Sequence, residues 1–222
     1  NAGPGAGKTF VLVGRIAHLI REQNIDPSQI VVLAFNRAVV FEIRRRIREL
    51  FRSLGYSAYA SRLRVHTFHS FAIRSLARID GIEIKRSDMD GVLARFANKM
   101  AKDPVFSRNV AGSVRSILVD EFQDVTDDVY TVIEHLYLGS DSRSGVMVIG
   151  DDDQDILRWQ RKKDGSKHEF SESYFDRFER DFGDEKLDRF LLGVNFRSGS
   201  AIVERSQSSI STFFERSPAW AR

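Results

Sequence analysis

NAGPGAGKTF, residues 1–10, packs three glycines, a lysine and a threonine into one short run. Gly3, Gly5 and Gly7 let the backbone turn tightly and aim several N–H groups at one point. Lys8 follows where an ammonium can reach the β- and γ-phosphates of a nucleotide, and the Thr9 hydroxyl can sit on Mg²⁺. A helix beginning near Gly7 adds the positive end of its dipole. Ala2, Gly3, Pro4, Gly5, Ala6, Gly7, Lys8 and Thr9 therefore form a candidate phosphate-binding loop. Ala2 stands where the common GxxxxGK[ST] pattern has its first glycine.

Outward from the loop, helical and strand-like stretches alternate. Phe10, Val13, Ile16, Ala17 and Ile20 recur at helical spacing and predict a helix from Lys8 to about Gln23. IVVLAF (residues 30–35) is wholly apolar, as in a buried parallel strand. Val40, Ile43, Ile47 and Leu50 predict a second helix, whose other face carries Arg44, Arg45, Arg48 and Arg52; a solvated basic face is the plainer account of these arginines. LRV (63–65) and VHTFHSFAIRSL (65–76) make a further strand and helix. Residues 79–112 are polar, with one helix expected from Ser87 and carrying Met89, Leu93, Phe96 and Met100. SILVDEFQD (116–124), DDVYTVIEHLYL (127–138) and GVMVIGDDDQ (145–154) read as strand, helix and strand. QRKKDGSKHEFSES (160–173) reads as an exposed connection, LDRFLLGVNFRS (187–198) as strand and turn, and SAIVERSQSSISTFF (200–214) as a helix. The alternation predicts an α/β fold with a parallel sheet flanked by helices.

Two apolar strands end in acids. The first delivers Asp120 and Glu121, the second Asp151 and Gln154. Beside a phosphate loop, an acid at a strand end holds Mg²⁺ and an adjacent glutamate can activate the attacking water. Gln154 is long and neutral, suited to sensing the γ-phosphate. Hard oxygen donors and phosphates make Mg²⁺ the expected metal, with ATP as the nucleotide.

Composition sets wide bounds. The chain has 222 residues, 42% of them hydrophobic, and a formal net charge of +3, which permits nucleic-acid binding without demanding it. It contains no cysteine, which excludes disulfides, cysteine-ligated zinc and iron–sulfur clusters within this stretch. No segment is long and apolar enough to span a membrane. No signal peptide is evident, which fits a cytoplasmic protein.

Six blocks, AGPGAGKT, VLAFNRAVVFEIRRRI, VHTFHSF, ILVDEFQD, VMVIGDDDQDILRW and LLGVNFRS, resemble successive motifs of UvrD/Rep-type superfamily 1 DNA helicases. They cover nearly the whole chain in the family's order. The resemblance implies RecA-like P-loop NTPase domains with helical insertions, ATP between two such domains, and single-stranded DNA across their top. It divides the chain into residues 1–80 and 112–183 as the first RecA-like domain, 81–111 as a short helical insertion, and 184–222 as the start of a second RecA-like domain. By the same resemblance Lys8 and Thr9 belong to the nucleotide loop, Asp120 is the Mg²⁺ ligand, Glu121 the catalytic base and Gln154 the γ-phosphate contact. Arg197 matches an arginine that reaches ATP, and Phe196 occupies a position usually held by a tyrosine that stacks on adenine. Phe35, Asn36, Thr67, His69 and Trp159 match positions that contact the DNA strand. Read from the residues alone, Phe35 and Phe68 suit a core equally, and His69 a structural role.

The chain departs from the family pattern at Leu157 and Arg158, where an aromatic and a glycine are usual, which weakens the DNA reading around Trp159. The family's segment before the loop and its later motifs have no counterpart, so the chain is expected to be a fragment of a larger motor. The expected activity is ATP-driven movement along single-stranded DNA, with unwinding of partly duplex DNA and 3′-to-5′ polarity. Two rivals are the helicase subunit of a helicase–nuclease and a DNA- or protein-binding regulator switched by ATP.

Overall fold

Five consecutive apolar residues form β1 (Ile30–Ala34), and all five are buried. β3 (Ser116–Val119) is buried along its whole length too. Strands covered on both faces read as unbroken apolar runs, and these two lie inside the sheet. A computed structural model describes residues 5–81, 91–141, 145–151, 154, 173–183 and 187–213 of the chain. Its sheet has the order β2-β1-β3-β4, with β2 at Arg64–Thr67 and β4 at Gly145–Val148, and every pairing is parallel. Ala34 is in register with Thr67, and Leu33 with Val119. The flanking strands are less covered: β2 alternates half-buried with buried residues, and β4 is exposed or half-buried throughout.

The chain divides into two units. One holds Leu12–Glu121 and Val125–Val148; the other holds Asn1–Val11, Phe122–Asp124 and Ile149–Arg222. The first contains the sheet and its helices. α1 (Lys8–Arg21) buries Leu12, Val13, Ile16, Leu19 and Ile20 there, its first four residues falling in the second unit. α2 (Arg37–Ser53) buries Val40, Ile43, Ile47 and Phe51, and a short α3 (Ser57–Ala60) follows. α4 (Phe68–Asp80) opens on a capping box, in which Thr67 and Ser70 exchange side-chain and backbone hydrogen bonds, and stops at Gly81 with φ 67°.

The helix expected from Ser87 begins later, as α5 (Val92–Lys102) after Gly91 at φ 79°. Ser87 and Met89 lie outside the described residues, while Phe96 and Met100 are buried. A helix the periodicity did not announce follows, α6 (Pro104–Ala111), capped by the Asp103 carboxylate with proline in its first turn. These helices join the core through edge-on rings: Phe71 to Phe96 at 6.0 Å and Phe96 to Phe106 at 5.8 Å. Lys99 lies 4.6 Å from the Phe106 ring centroid and pairs with Asp80 at 2.6 Å. α7 (Asp127–Leu138) buries Val129, Tyr130, Val132, Ile133 and Leu136.

The second unit contains α8 (Tyr174–Phe182) and α9 (Ser200–Phe213). α9 matches the expected helix; α8 does not appear in the periodicity reading, although Ser173 and Asp176 form a capping box ahead of Phe175, Phe178 and Phe182. The strand expected in LDRFLLG is not formed: residues 187–193 hold at most a single bridged residue, Leu192. An apolar run becomes a strand only where a neighbour takes up its backbone groups, and Phe190 and Leu191 remain exposed.

Candidate functional site

In the described part of the phosphate loop, Gly5 and Gly7 have φ of 73° and 83°. Both angles are left-handed and suit glycine far better than any other residue. α1 starts at once, with the Val11 N–H donating to the Gly7 carbonyl at 3.0 Å. Lys8 and Thr9 are half-buried in its first turn; Ala2, Gly3 and Pro4 lie outside the described residues. In the same unit the NFRS turn sits against this loop. The Phe196 N–H donates to the Gly5 carbonyl at 3.0 Å, and a Cβ on Gly5 would fall 2.5 Å from Arg197 Cβ and 2.8 Å from Asn195 Oδ1. The turn is held from within, because Asn195 Oδ1 accepts from the N–H groups of Arg197 and Ser198, each at 2.8 Å. Asn195 was not among the expected residues, though a side-chain oxygen bonding the backbone two residues on is the usual work of asparagine in turns. Phe196 is 80% exposed, so a large ring stands beside the loop in solvent.

The second unit also gathers the turns that follow the two acidic strands. The Phe122 N–H donates to the Ile149 carbonyl at 2.9 Å. The buried Gln123 side chain accepts from the Asp151 N–H at 2.9 Å. Asp151 is fully buried, and its Oδ2 accepts from Gln154 Nε2 at 2.7 Å. Gln154 therefore has its side chain held by Asp151. Behind them Phe122 is buried against Phe175 and Phe178, with ring centroids at 5.0 and 5.6 Å. Gln123 was missed by motif reading because its partner lies 28 residues away.

In the sheet unit, Asp120 is 1% exposed. Its N–H donates to the Leu33 carbonyl at 3.0 Å, extending the β1–β3 ladder by one bond, and its Oδ1 accepts from the Glu121 N–H at 3.0 Å. Glu121 is half-buried with φ 53°, a conformation that costs a non-glycine residue about 1–2 kcal/mol. The Asp120 carboxylate and the Thr9 hydroxyl are hard oxygen donors that fit Mg²⁺. They belong to different units, and among the described residues no three His, Asp or Glu side chains cluster as a metal cage.

The carboxyl ends of β1 and β2 bring four expected strand-contacting residues to neighbouring positions. Phe35 is half-buried, its ring 5.3 Å from that of Phe68, which is buried in the core. Asn36 is exposed, and its Oδ1 caps α2 through the Val39 N–H at 2.8 Å. Thr67 is buried with its hydroxyl committed to the α4 cap. His69 is exposed in the first turn of α4. α2 and α4 both start here, so two positive helix ends meet at adjacent strand termini. Trp159 lies outside the described residues.

Comparison with known proteins points one way. Residues 1–86 and 81–174 match the UvrD/REP helicase N-terminal domain. Over 77 residues the chain is 40% identical to the ATP-dependent DNA helicase SRS2 of Saccharomyces cerevisiae, covering 35% of this chain and 6% of that protein. It is 24% identical over 296 residues to the ATP-dependent DNA helicase PcrA of Leuconostoc citreum, covering 98% of this chain and 37% of that protein. PcrA of Bacillus subtilis is 23% identical over 296 residues, covering 98% of this chain and 38% of the relative. The chain thus spans well under half the length of each of these relatives.

Proposed function

Because the chain belongs to the UvrD/REP helicase N-terminal domain family, we propose that it supplies the ATP-binding part of a motor that moves along single-stranded DNA, 3′ to 5′, and opens duplex. The relatives' names, ATP-dependent DNA helicases, support the nucleotide and the substrate. In this reading residues 1–80 and 112–183 make a RecA-like domain, 81–111 its helical insertion, and 184–222 the beginning of a second RecA-like domain.

The observation that carries the nucleotide assignment is the docking of the NFRS turn on Gly5, which puts Phe196 and Arg197 beside the phosphate loop. Lys8 binds the β- and γ-phosphates, Phe196 stacks on the adenine, and Arg197 meets the charge that grows on the transferred phosphoryl group. Thr9 and Asp120 would hold Mg²⁺, which when bound supplies neutralisation of phosphate charge. Glu121 takes a proton from water as the water oxygen bonds to the γ-phosphorus; the bridging P–O bond breaks, and ADP leaves with the electron pair. Gln154, steadied by Asp151, orients that water. Phe35, Asn36, Thr67, His69 and Trp159 are assigned to contact with the DNA strand, where rings stack on bases without regard to sequence.

Two substitutions in the complete protein test the assignment. Lys8→Ala is expected to weaken Mg·ATP binding measured by calorimetry. Glu121→Gln is expected to leave that binding within about threefold while lowering phosphate release by about 10²–10⁴-fold. Hydrolysis at the parent rate by Glu121→Gln removes Glu121 from the role of base. Lack of nucleotide binding by the parent overturns the whole reading.

A further inference from the structure

One cationic flank has no part in the chemistry above. Along α2, Arg37, Phe41, Arg44, Arg48 and Arg52 follow at intervals of four, three, four and four residues, and all five are exposed. That spacing holds them on a single stripe about 22 Å long. The helix has two acids, and both are engaged by other arginines. Glu42 accepts from Arg45 at 2.8 Å and Arg46 at 2.6 Å, and Glu49 accepts from Arg45 at 2.6 Å. Arg37, Arg44, Arg48 and Arg52 have no carboxylate partner among the described residues.

Further cations flank the stripe. Arg44 donates to the Val65 carbonyl at 2.5 Å, which ties the row to β2 at the sheet edge. Arg64 of β2 lies over the Phe71 ring at 5.6 Å, and burial holds its pKa below the usual arginine value, with Arg78 adding to the shift. The charge of Arg74 on α4 acts on His66, whose Nδ1 is buried without a hydrogen-bond partner. Positive charge on an edge strand can serve only to block pairing with another chain. That use accounts for Arg44, which bonds the strand. It does not account for Arg48 and Arg52, which lie one and two turns further along α2.

We propose that this flank binds the phosphate backbone of duplex DNA, with Arg37, Arg44, Arg48 and Arg52 as its principal contacts. A row of guanidinium groups fixed on a helix suits a stiff polyanion of regular charge spacing. Unpaired bases need stacking platforms, and the stripe offers only Phe41. Of the residues assigned to the single strand, Asn36 directly precedes Arg37, whereas Arg44, Arg48 and Arg52 lie about two to four turns further along α2, away from the carboxyl ends of β1 and β2. The inference rests on the reading of the chain as part of a DNA helicase, and it adds a second nucleic-acid surface to it.

Fluorescence anisotropy with duplex and single-stranded oligonucleotides of equal length, over a series of salt concentrations, tests it. The test compares the complete protein with Arg48→Gln/Arg52→Gln, chosen because neither side chain bonds another element. Each lost phosphate contact should reduce the slope of log K against log salt by about 0.9. The double variant should therefore lose about 1.8 of slope, and roughly tenfold in duplex affinity at low salt. Its single-strand affinity should stay within about twofold of the parent. Adding Arg44→Gln should deepen the duplex loss. An unchanged duplex slope and affinity in a variant with parental circular dichroism overturns the proposal and leaves the row as edge protection. Equal loss for both DNA forms overturns the choice of duplex. A parent that binds no duplex overturns it outright. If single-stranded DNA still stimulates ATP hydrolysis in that parent, the helicase reading survives and only this inference falls.

Discussion

Gly150 has no room for a side chain. A Cβ there would lie 2.5 Å from Gln123 Oε1, 2.8 Å from the Phe122 backbone nitrogen and 2.9 Å from the Phe175 ring. Two of these neighbours are fixed, one as backbone and one as a buried ring, so the added methyl forces the turn open. Gly150→Ala is expected to destabilise the protein by about 1–3 kcal/mol in urea unfolding. It should also weaken the Gln123–Asp151 bond that shapes the Gln154 turn, with a fall in phosphate release beyond that of a stability-matched surface variant. Parental stability in Gly150→Ala would mean that the Phe122 turn yields more easily than its packing indicates. The glycine could be seen in the sequence; its reason could not. The contact that forbids a side chain joins residues 27 and 28 positions apart, whereas Gly5, Gly7, Lys8 and Thr9 declare their chemistry within a few residues of one another.

At the scale of elements, β2 carries a pH dependence. Burial, with the charges of Arg74, Arg44 and Arg64, pushes His66 down from 6.5 to about 4. The folded protein therefore binds fewer protons at this residue than the unfolded chain between about pH 6.5 and pH 4. Its contribution is complete above 6.5 and is lost as pH falls through that window. Unfolding free energies at pH 7, 5.5 and 4.5 should decline more steeply in the parent than in His66→Gln. Parallel declines would show that His66 ionises normally in the fold. Strand-scale legibility follows the same logic of burial. β1 and β3 could be read from unbroken apolar runs because both their faces are covered. LDRFLLG holds a shorter apolar run, residues 190–192, interrupted upstream by Asp188 and Arg189, and strand formation there depends on a partner that no local pattern reveals. α6 and α8 are short and announced chiefly by their caps, Asp103 with Pro104 and Ser173 with Asp176, which periodicity counting passes over.

Across the whole molecule, protection from solvent is uneven. Amide hydrogen exchange should be slowest in β1 and β3, faster in β4, and fastest in residues 187–194, where Phe190, Leu191 and Val194 are exposed. Exchange from 187–194 as slow as from β3 would reveal cover for that segment that the described residues do not supply. No helix among the described residues is long and apolar enough to cross a membrane. The proposed nucleotide is a neighbour for the exposed Phe196 ring. The strand order has a consequence in time. β1 lies between β2 and β3, and Leu33 finds its β3 neighbour, Val119, only 86 residues later. On a ribosome adding 5–20 residues per second, that interval lasts roughly 4–17 s. Until β2 emerges both hydrogen-bonding edges of IVVLA are unfilled, and from then until β3 emerges one edge stays open to any other extended chain. Synthesis of this protein is therefore a period of chaperone demand that closes only when the strand bearing its acidic pair has emerged.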